Sequence, residues 1–219
     1  MSTLFNIHSH RAGGENEITI INIHQDFQNP LPKGYFSAGI HPRYIQSDNH
    51  EHQFEALAIL LQLPSVLAVG ECGLDKLCDS DWNVQMDVFI KQIKLANQIN
   101  KPLIIHCVRA FEEIQKSLKE NNCHVPVIFH GFTKNSSILA QTLIKTGAYL
   151  SFGKGLFQES VAPIFKQIPN DRFFLETDNS EFSIQSIYER AAEIKNVSLN
   201  ELMSIVLANK NLIFGTIND

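Results

Sequence analysis

No stretch of this 219-residue chain reaches about 18 consecutive apolar residues, so no segment reads as a transmembrane helix. The N-terminus also lacks the basic-then-apolar layout of a secretory signal, because His8, His10 and Arg11 interrupt it early; a cytoplasmic protein without a membrane partner is the expectation. Cysteine is scarce: Cys72, Cys78, Cys107 and Cys123 form no Cys-x-x-Cys pair and are too few for a disulfide scaffold. Cys72 and Cys107 each follow a candidate ligand, and strand alternation turns both thiols towards a helix layer as small buried groups. A basic excess is missing as well. With a net charge of −5 and a pI near 6.0, the chain does not coat nucleic acid through a broad basic surface, although a local grip on a few phosphates stays open. No glycine-rich dinucleotide fingerprint, internal repeat or low-complexity tract interrupts the sequence.

What is present is a strand-helix alternation with enough apolar content, 44%, to build one large core. Short β-branched or apolar runs predict strands at Leu4–His10, Glu17–His24, Tyr35–Ile40, Ser65–Gly70, Pro102–Ile105, Val125–Phe129, Ala148–Phe152 and Arg172–Glu176. Helical spacing predicts helices over Glu51–Leu63, Val84–Ile99, Ala110–Asn121, Asn135–Lys145 (with Asn135 as N-cap), Ser160–Gln167, Ser183–Lys195 and Ser198–Phe214. Ser198-Leu199-Asn200-Glu201 has the capping-box form. No helix fits between the first two strands, and residues 25–34, with Pro30, Pro32 and Gly34, read as a connector. Eight strands alternating with helices imply a parallel sheet. The expected fold is an α/β, (β/α)8 TIM barrel over residues 1–219 as one domain, irregular in missing its first helix.

In such a barrel, chemistry collects at the C-terminal ends of the strands. His8 and His10 stand there on one strand face, joined by His41, Glu71, His106, His130 and Asp178. Any one of these histidines is unremarkable as a buried hydrogen-bonding group. Polar groups converging on one place need a shared partner, and a pair of divalent ions is the simplest. His8, His10 and Asp178 are assigned to one ion and His106 with His130 to the other. Glu71 bridges them through its two oxygens, and Asp178 doubles as general base. Zinc, manganese, magnesium or nickel all suit parts of this donor set.

A second pattern is cationic. Arg11, Arg43, Lys76, Arg109, Lys134 and Lys154 lie within a few residues of strand ends, a local field suited to an anionic, phosphate-bearing substrate. Arg43, Arg109 and Lys134 are the candidate substrate contacts. Phe111, Phe132, Phe157 and Trp82 are placed to stack on bases, but with 15 phenylalanines in the chain most belong to the core.

With these residues in place the chain resembles the TatD family of metal-dependent deoxyribonucleases, amidohydrolase-like TIM barrels. Asn6-Ile7-His8-Ser9-His10, Gly39-Ile40-His41-Pro42, Gly70-Glu71-Cys72-Gly73-Leu74-Asp75, Ile105-His106-Cys107-Val108-Arg109-Ala110, His130-Gly131-Phe132 and Glu176-Thr177-Asp178 follow the family's motifs in order. The resemblance implies a two-metal hydrolase of phosphodiesters, typically a 3′–5′ exodeoxyribonuclease, with ligands at His8, His10, Glu71, His106, His130 and Asp178. It also implies a substrate-contacting role for His41. Asn6 stands where the family has Asp, Lys76 where Tyr is common, and Asn179-Ser180 in place of a small residue and proline. Any weakening of the site therefore falls on the metal that the first strand holds. Two rival readings are a barrel hydrolysing a small-molecule carbon–nitrogen or ester bond, and a non-catalytic barrel that binds a partner. No obligate protein partner is evident in the sequence.

Overall fold

The computed structural model describes residues 3–25, 27, 31–46 and 49–217; Pro30 of the expected connector lies outside them. In chain order the elements are β1 (Leu4–Ser9), β2 (Glu17–Ile23), β3 (Tyr35–Ala38), α1 (His50–Leu60), β4 (Val66–Asp75), α2 (Trp82–Ile99), β5 (Leu103–Val108), α3 (Phe111–Glu120), β6 (Val127–Phe129), α4 (Ser137–Lys145), β7 (Tyr149–Phe152), α5 (Ala162–Gln167), β8 (Phe173–Leu175), α6 (Ile184–Lys195) and α7 (Leu199–Phe214). The strands follow one another in the sheet as they do in the chain, and β1–β2, β3–β4, β4–β5, β6–β7 and β7–β8 pair in parallel. This is the expected (β/α)8 class, and residues 10–16 hold no helix. No helix among the described residues is long and apolar enough to cross a membrane.

The chain divides into two compact units, Met1–Ile21 with Ile128–Asp219, and Asn22–Val127. In the first, β1 is fully buried, with Phe5 and Ile7 on one face and Asn6 and His8 on the other. It meets the end of β8 through a parallel bridge between Ser9 and Asp178. Tyr188 of α6, buried, donates its hydroxyl to the Phe5 carbonyl at 2.8 Å and accepts the Phe5 N–H at 3.2 Å, which binds this helix to β1. Burial pushes that phenol well above its ordinary range. Ser183 and Ser198 cap α6 and α7 by accepting the N–H of Ser186 and Glu201. The cap of α4 is Ser136, which accepts the Leu139 N–H at 3.2 Å, and not Asn135. The two candidates are neighbours, and sequence alone does not separate them.

In the second unit, Phe89, Ile93 and Ala96 of α2 are wholly buried, the stripe their spacing predicts. Asp81 caps that helix through the N–H groups of Asn83 and Val84. Lys101 brings its ammonium to the carbonyls of Leu61 and Val66, tying the C-terminal end of α1 to the start of β4. The largest departure from expectation is β4. It does not stop before Glu71 but runs ten residues to Asp75. Its register against β5 slips between Val69 and Cys72, so one extra β4 residue is accommodated there. Two glycines make this possible. A Cβ on Gly70 (φ 154°) would stand 2.4 Å from the Ile104 carbonyl oxygen, and one on Gly73 (φ 143°) 2.0 Å from that of His106. Only a residue without a side chain lets the two backbones approach so closely.

Gly73→Ala is expected to destabilise the protein by about 3 kcal/mol or more, because backbone strain and overpacking add. Gly147→Ala, where φ is 90° but nothing lies within 4 Å, is expected to cost about 1–2 kcal/mol. Urea denaturation of the two variants gives the comparison.

Candidate metal centres

The unit containing β1 and β8 places three of the expected ligands together. His8 lies within β1 and is fully buried; His10 follows the strand and is partly open; Asp178 follows β8. The Asp178 carboxylate Oδ1 is 3.3 Å from His10 Nε2 and 3.7 Å from His8 Nε2. Ligand atoms bound to one small divalent ion at 2.0–2.2 Å lie about 3 to 3.5 Å apart, whether octahedral or tetrahedral, so these residues fit an ion with little movement.

The backbone sets this geometry. The Asp178 N–H donates to the His8 carbonyl at 2.9 Å, and the His10 N–H donates to the Asp178 carbonyl at 3.2 Å. Asp178 itself adopts a positive φ of 52°, a conformation Asp tolerates better than most residues. One residue earlier, Thr177 is clasped by Asn6. The Asn6 amide donates to the Thr177 hydroxyl at 2.9 Å, and its carbonyl oxygen accepts the Thr177 N–H at 3.1 Å. His130 packs its ring 4.4 Å from that of His8, and its Nδ1 is 3.6 Å from Oε1 of the buried Glu176. That same oxygen accepts the Gly131 N–H at 2.7 Å, and the buried Oε2 has no hydrogen-bond partner.

The other unit holds a second cluster around Glu71, His106 and His41. Glu71 is nearly inaccessible, and Asn22 fixes it. The Asn22 carbonyl oxygen accepts the Glu71 N–H at 2.8 Å, and its amide donates to Glu71 Oε2 at 3.2 Å. Glu71 Oε1 faces His106 Nδ1 at 2.8 Å and His41 Nε2 at 3.4 Å. The two histidines differ in kind. His41 Nδ1 accepts the Arg43 N–H at 3.0 Å, so in the neutral ring the proton sits on Nε2 and points at Glu71. A ring so engaged offers a donor, not a lone pair. His106 is flanked by carboxylates on both sides, with Asp75 Oδ2 3.3 Å from Nε2. An Nδ1–H satisfies the Glu71 contact directly; with the proton on Nε2 and donated to Asp75, the Nδ1 lone pair faces Glu71, the tautomer that a shared cation requires.

Asp75 and Glu176 perform one task in the two units: each is a buried carboxylate set against a candidate histidine ligand. Burial pushes the Asp75 carboxyl up, but the Leu77 N–H, His106 and Arg43 together outweigh it and hold it below the usual carboxylate range. Neither residue is a ligand candidate by sequence position, although both stand inside the Gly70–Asp75 and Glu176–Asp178 motifs. Asn22 leaves no signal, being one polar residue in an otherwise β-branched run. Of the expected substrate contacts, Arg43 is exposed but leans on Asp75 at 3.4 Å, Arg109 is exposed with φ 56°, and Lys134 is partly buried. Lys76 pairs with Glu113 and lies over the Trp82 ring. Phe132 is a core residue.

Parallel strands in barrel order, with imidazole–carboxylate clusters at their C-terminal ends, define the class as a metal-binding (β/α)8 barrel. The family model of TatD-related DNases matches residues 17–215. The uncharacterized metal-dependent hydrolase YabD of Bacillus subtilis is 34% identical over 201 residues, covering 82% of this chain and 77% of its own. The 3′-5′ ssDNA/RNA exonuclease TatD of Edwardsiella piscicida is 32% identical over 148 residues, 65% of this chain and 56% of that one. Among solved structures, a TatD family hydrolase from Entamoeba histolytica shares the fold with a TM-score of 0.81 at 19% identity, covering 99% of this chain and 100% of that one. The chain belongs to the TatD-related DNase family.

Asp75→Asn and Glu176→Gln keep the shape of each side chain but remove the charge behind the histidine. Each is expected to weaken divalent-ion affinity by about 10- to 100-fold, measured by isothermal titration with Zn²⁺ and Mn²⁺.

Proposed function

We propose that the chain is a divalent-metal-dependent phosphodiesterase acting on DNA, of the 3′–5′ exonuclease type, with one ion held at each cluster. The observation that carries this reading is the gathering of His8, His10 and Asp178, whose ligand atoms lie within 4.8 Å of one another, close enough for one ion to draw them in. The exonuclease name of the Edwardsiella relative supports the substrate class. The His8–His10–Asp178 set, two imidazoles to one carboxylate, suits zinc or nickel. Glu71, with Asp75 behind His106, favours manganese or magnesium more.

Divalent ions held there supply a water of lowered pKa and an electrophilic clamp on phosphoryl oxygen. The protein's own groups divide the remaining work. Asp178, 27% exposed, is open enough to solvent for its carboxylate to accept a proton from an attacking water. Glu71 is not, because it is buried and Asn22 occupies its Oε2, so it acts as a fixed ligand charge. His41 directs its Nε2–H at Glu71 Oε1, and reaches a substrate oxygen when that carboxylate oxygen is taken up by an ion. Arg43, Arg109 and Lys134 offer cationic contacts to phosphate.

Single-stranded DNA incubated with the protein and Mn²⁺ or Mg²⁺ is expected to be degraded, and EDTA is expected to stop it. Asp178→Asn keeps a side chain that tolerates positive φ and is expected to stay folded while kcat falls about 10²- to 10⁴-fold. Metal-loaded protein that turns over neither DNA nor a generic phosphodiester would overturn the reading.

A further inference from the structure

Of the chain's 15 phenylalanines, two are exposed, and they are stacked on each other. The rings of Phe157 and Phe182 lie 4.1 Å apart between centroids and within 7° of parallel, with 40% and 41% of each residue accessible. The core aromatic pairs of the same unit meet at 40–79° instead, the tilted and edge-on geometries of packed interiors. We infer that this pair is a stacking platform for a nucleobase of the strand whose phosphodiester is cut, an inference that rests on the nuclease reading above.

Position and support argue for it. Phe182 stands four residues after Asp178, so their Cα atoms are at most about 14 Å apart, within reach of a nucleotide or two. Arg11 donates to the Asn179 carbonyl at 3.4 Å and holds the segment between them. Phe182 directly precedes Ser183, the N-cap of α6. Phe157 closes the 3-10 turn Lys154–Phe157, whose Leu156 carbonyl accepts from Arg190 Nε at 3.2 Å. Both rings are therefore carried on fixed supports, and exposed Lys154 begins the same turn with a charge suited to phosphate. Although the rings cover one another, each residue keeps about two fifths of its surface open to solvent. Stacking on a π-face tolerates any base, which suits an enzyme that must advance along a strand of any sequence.

The test compares a short single-stranded oligodeoxyadenylate with the same backbone made abasic over its 3′ end, using metal-loaded wild type, Phe157→Ala, Phe182→Ala and Phe182→Tyr. On the intact strand the alanine variants are expected to raise KM roughly 5- to 150-fold with kcat little changed, while Phe182→Tyr stays near wild type. On the abasic strand the wild type is expected to show the raised KM already, and the variants to add nothing. Wild-type KM in the alanine variants, or equal losses on both strands, overturns the platform. Thermal melts of each variant identify any that lose activity by unfolding, in which case Phe157→Leu and Phe182→Leu replace them. Fluorescence anisotropy of labelled strand separates the two readings. Binding without turnover, lost in the alanine variants, keeps the platform and sinks the nuclease reading. Turnover with unaltered KM and Kd does the reverse, and neither binding nor turnover in the wild type sinks both.

Discussion

Strand β1 is fastened to the C-terminal part of the chain by six hydrogen bonds, and the first candidate metal centre depends on them. Two join Phe5 to Tyr188, two join Asn6 to Thr177, and two join the backbones of His8 and His10 to Asp178. The partners are more than 160 residues apart in sequence, so nothing local holds them. All are at least partly withdrawn from water, where an unpaired donor or acceptor costs about 1–3 kcal/mol. The fastening therefore selects one register of β1 against the end of β8. A slip of one residue would turn His8 from the cluster to the opposite face. The positive φ of Asp178 belongs to the same device, since it lets the backbone pair with both His8 and His10 while the carboxylate turns to their rings.

The fold was legible in the sequence because periodicity and breakers are local signals. All eight strands and all seven helices fall where the pattern of apolar residues predicts, to within a few residues at their ends. The exception, β4, is instructive. Gly70 and Gly73 read as punctuation, and the expected strand stops there, yet both glycines serve to let β4 run on against β5. A glycine in a strand marks either an end or a close backbone approach, and only the neighbouring strand decides which. The cap of α4 failed for a smaller reason, two adjacent capping residues of similar strength.

The candidate site was legible in part, and the line between the two parts is physical. A ligand-type residue at a strand's end announces itself by position, so His8, His10, Glu71, His106, His130 and Asp178 could be collected in advance. The groups that orient them could not. Asn22 is joined to Glu71 across 49 residues and Glu176 to the Gly131 N–H across 45, contacts that no local spacing encodes. The distinction between His41 and His106 was likewise out of reach. It rests on where one proton sits, and the Arg43 backbone N–H determines that.

Read as a lost acid, Asn6 points to a weakened first metal, but its amide meets both contacts that its surroundings offer. Thr177 offers its backbone N–H to Asn6 while its hydroxyl accepts from the Asn6 amide. An ionised carboxylate only accepts, so it would take the N–H and turn the hydroxyl around as a donor. The amide satisfies both contacts without bringing a further negative charge beside Asp178 and the Glu176 carboxylate, whose Oε2 is already buried and unpaired. Each added anion at such a site raises the desolvation cost of the apo protein. The substitution therefore leaves the clasp that positions Asp178 intact and lowers the negative charge around His8 and His10. Its effect on the centre is electrostatic rather than geometric.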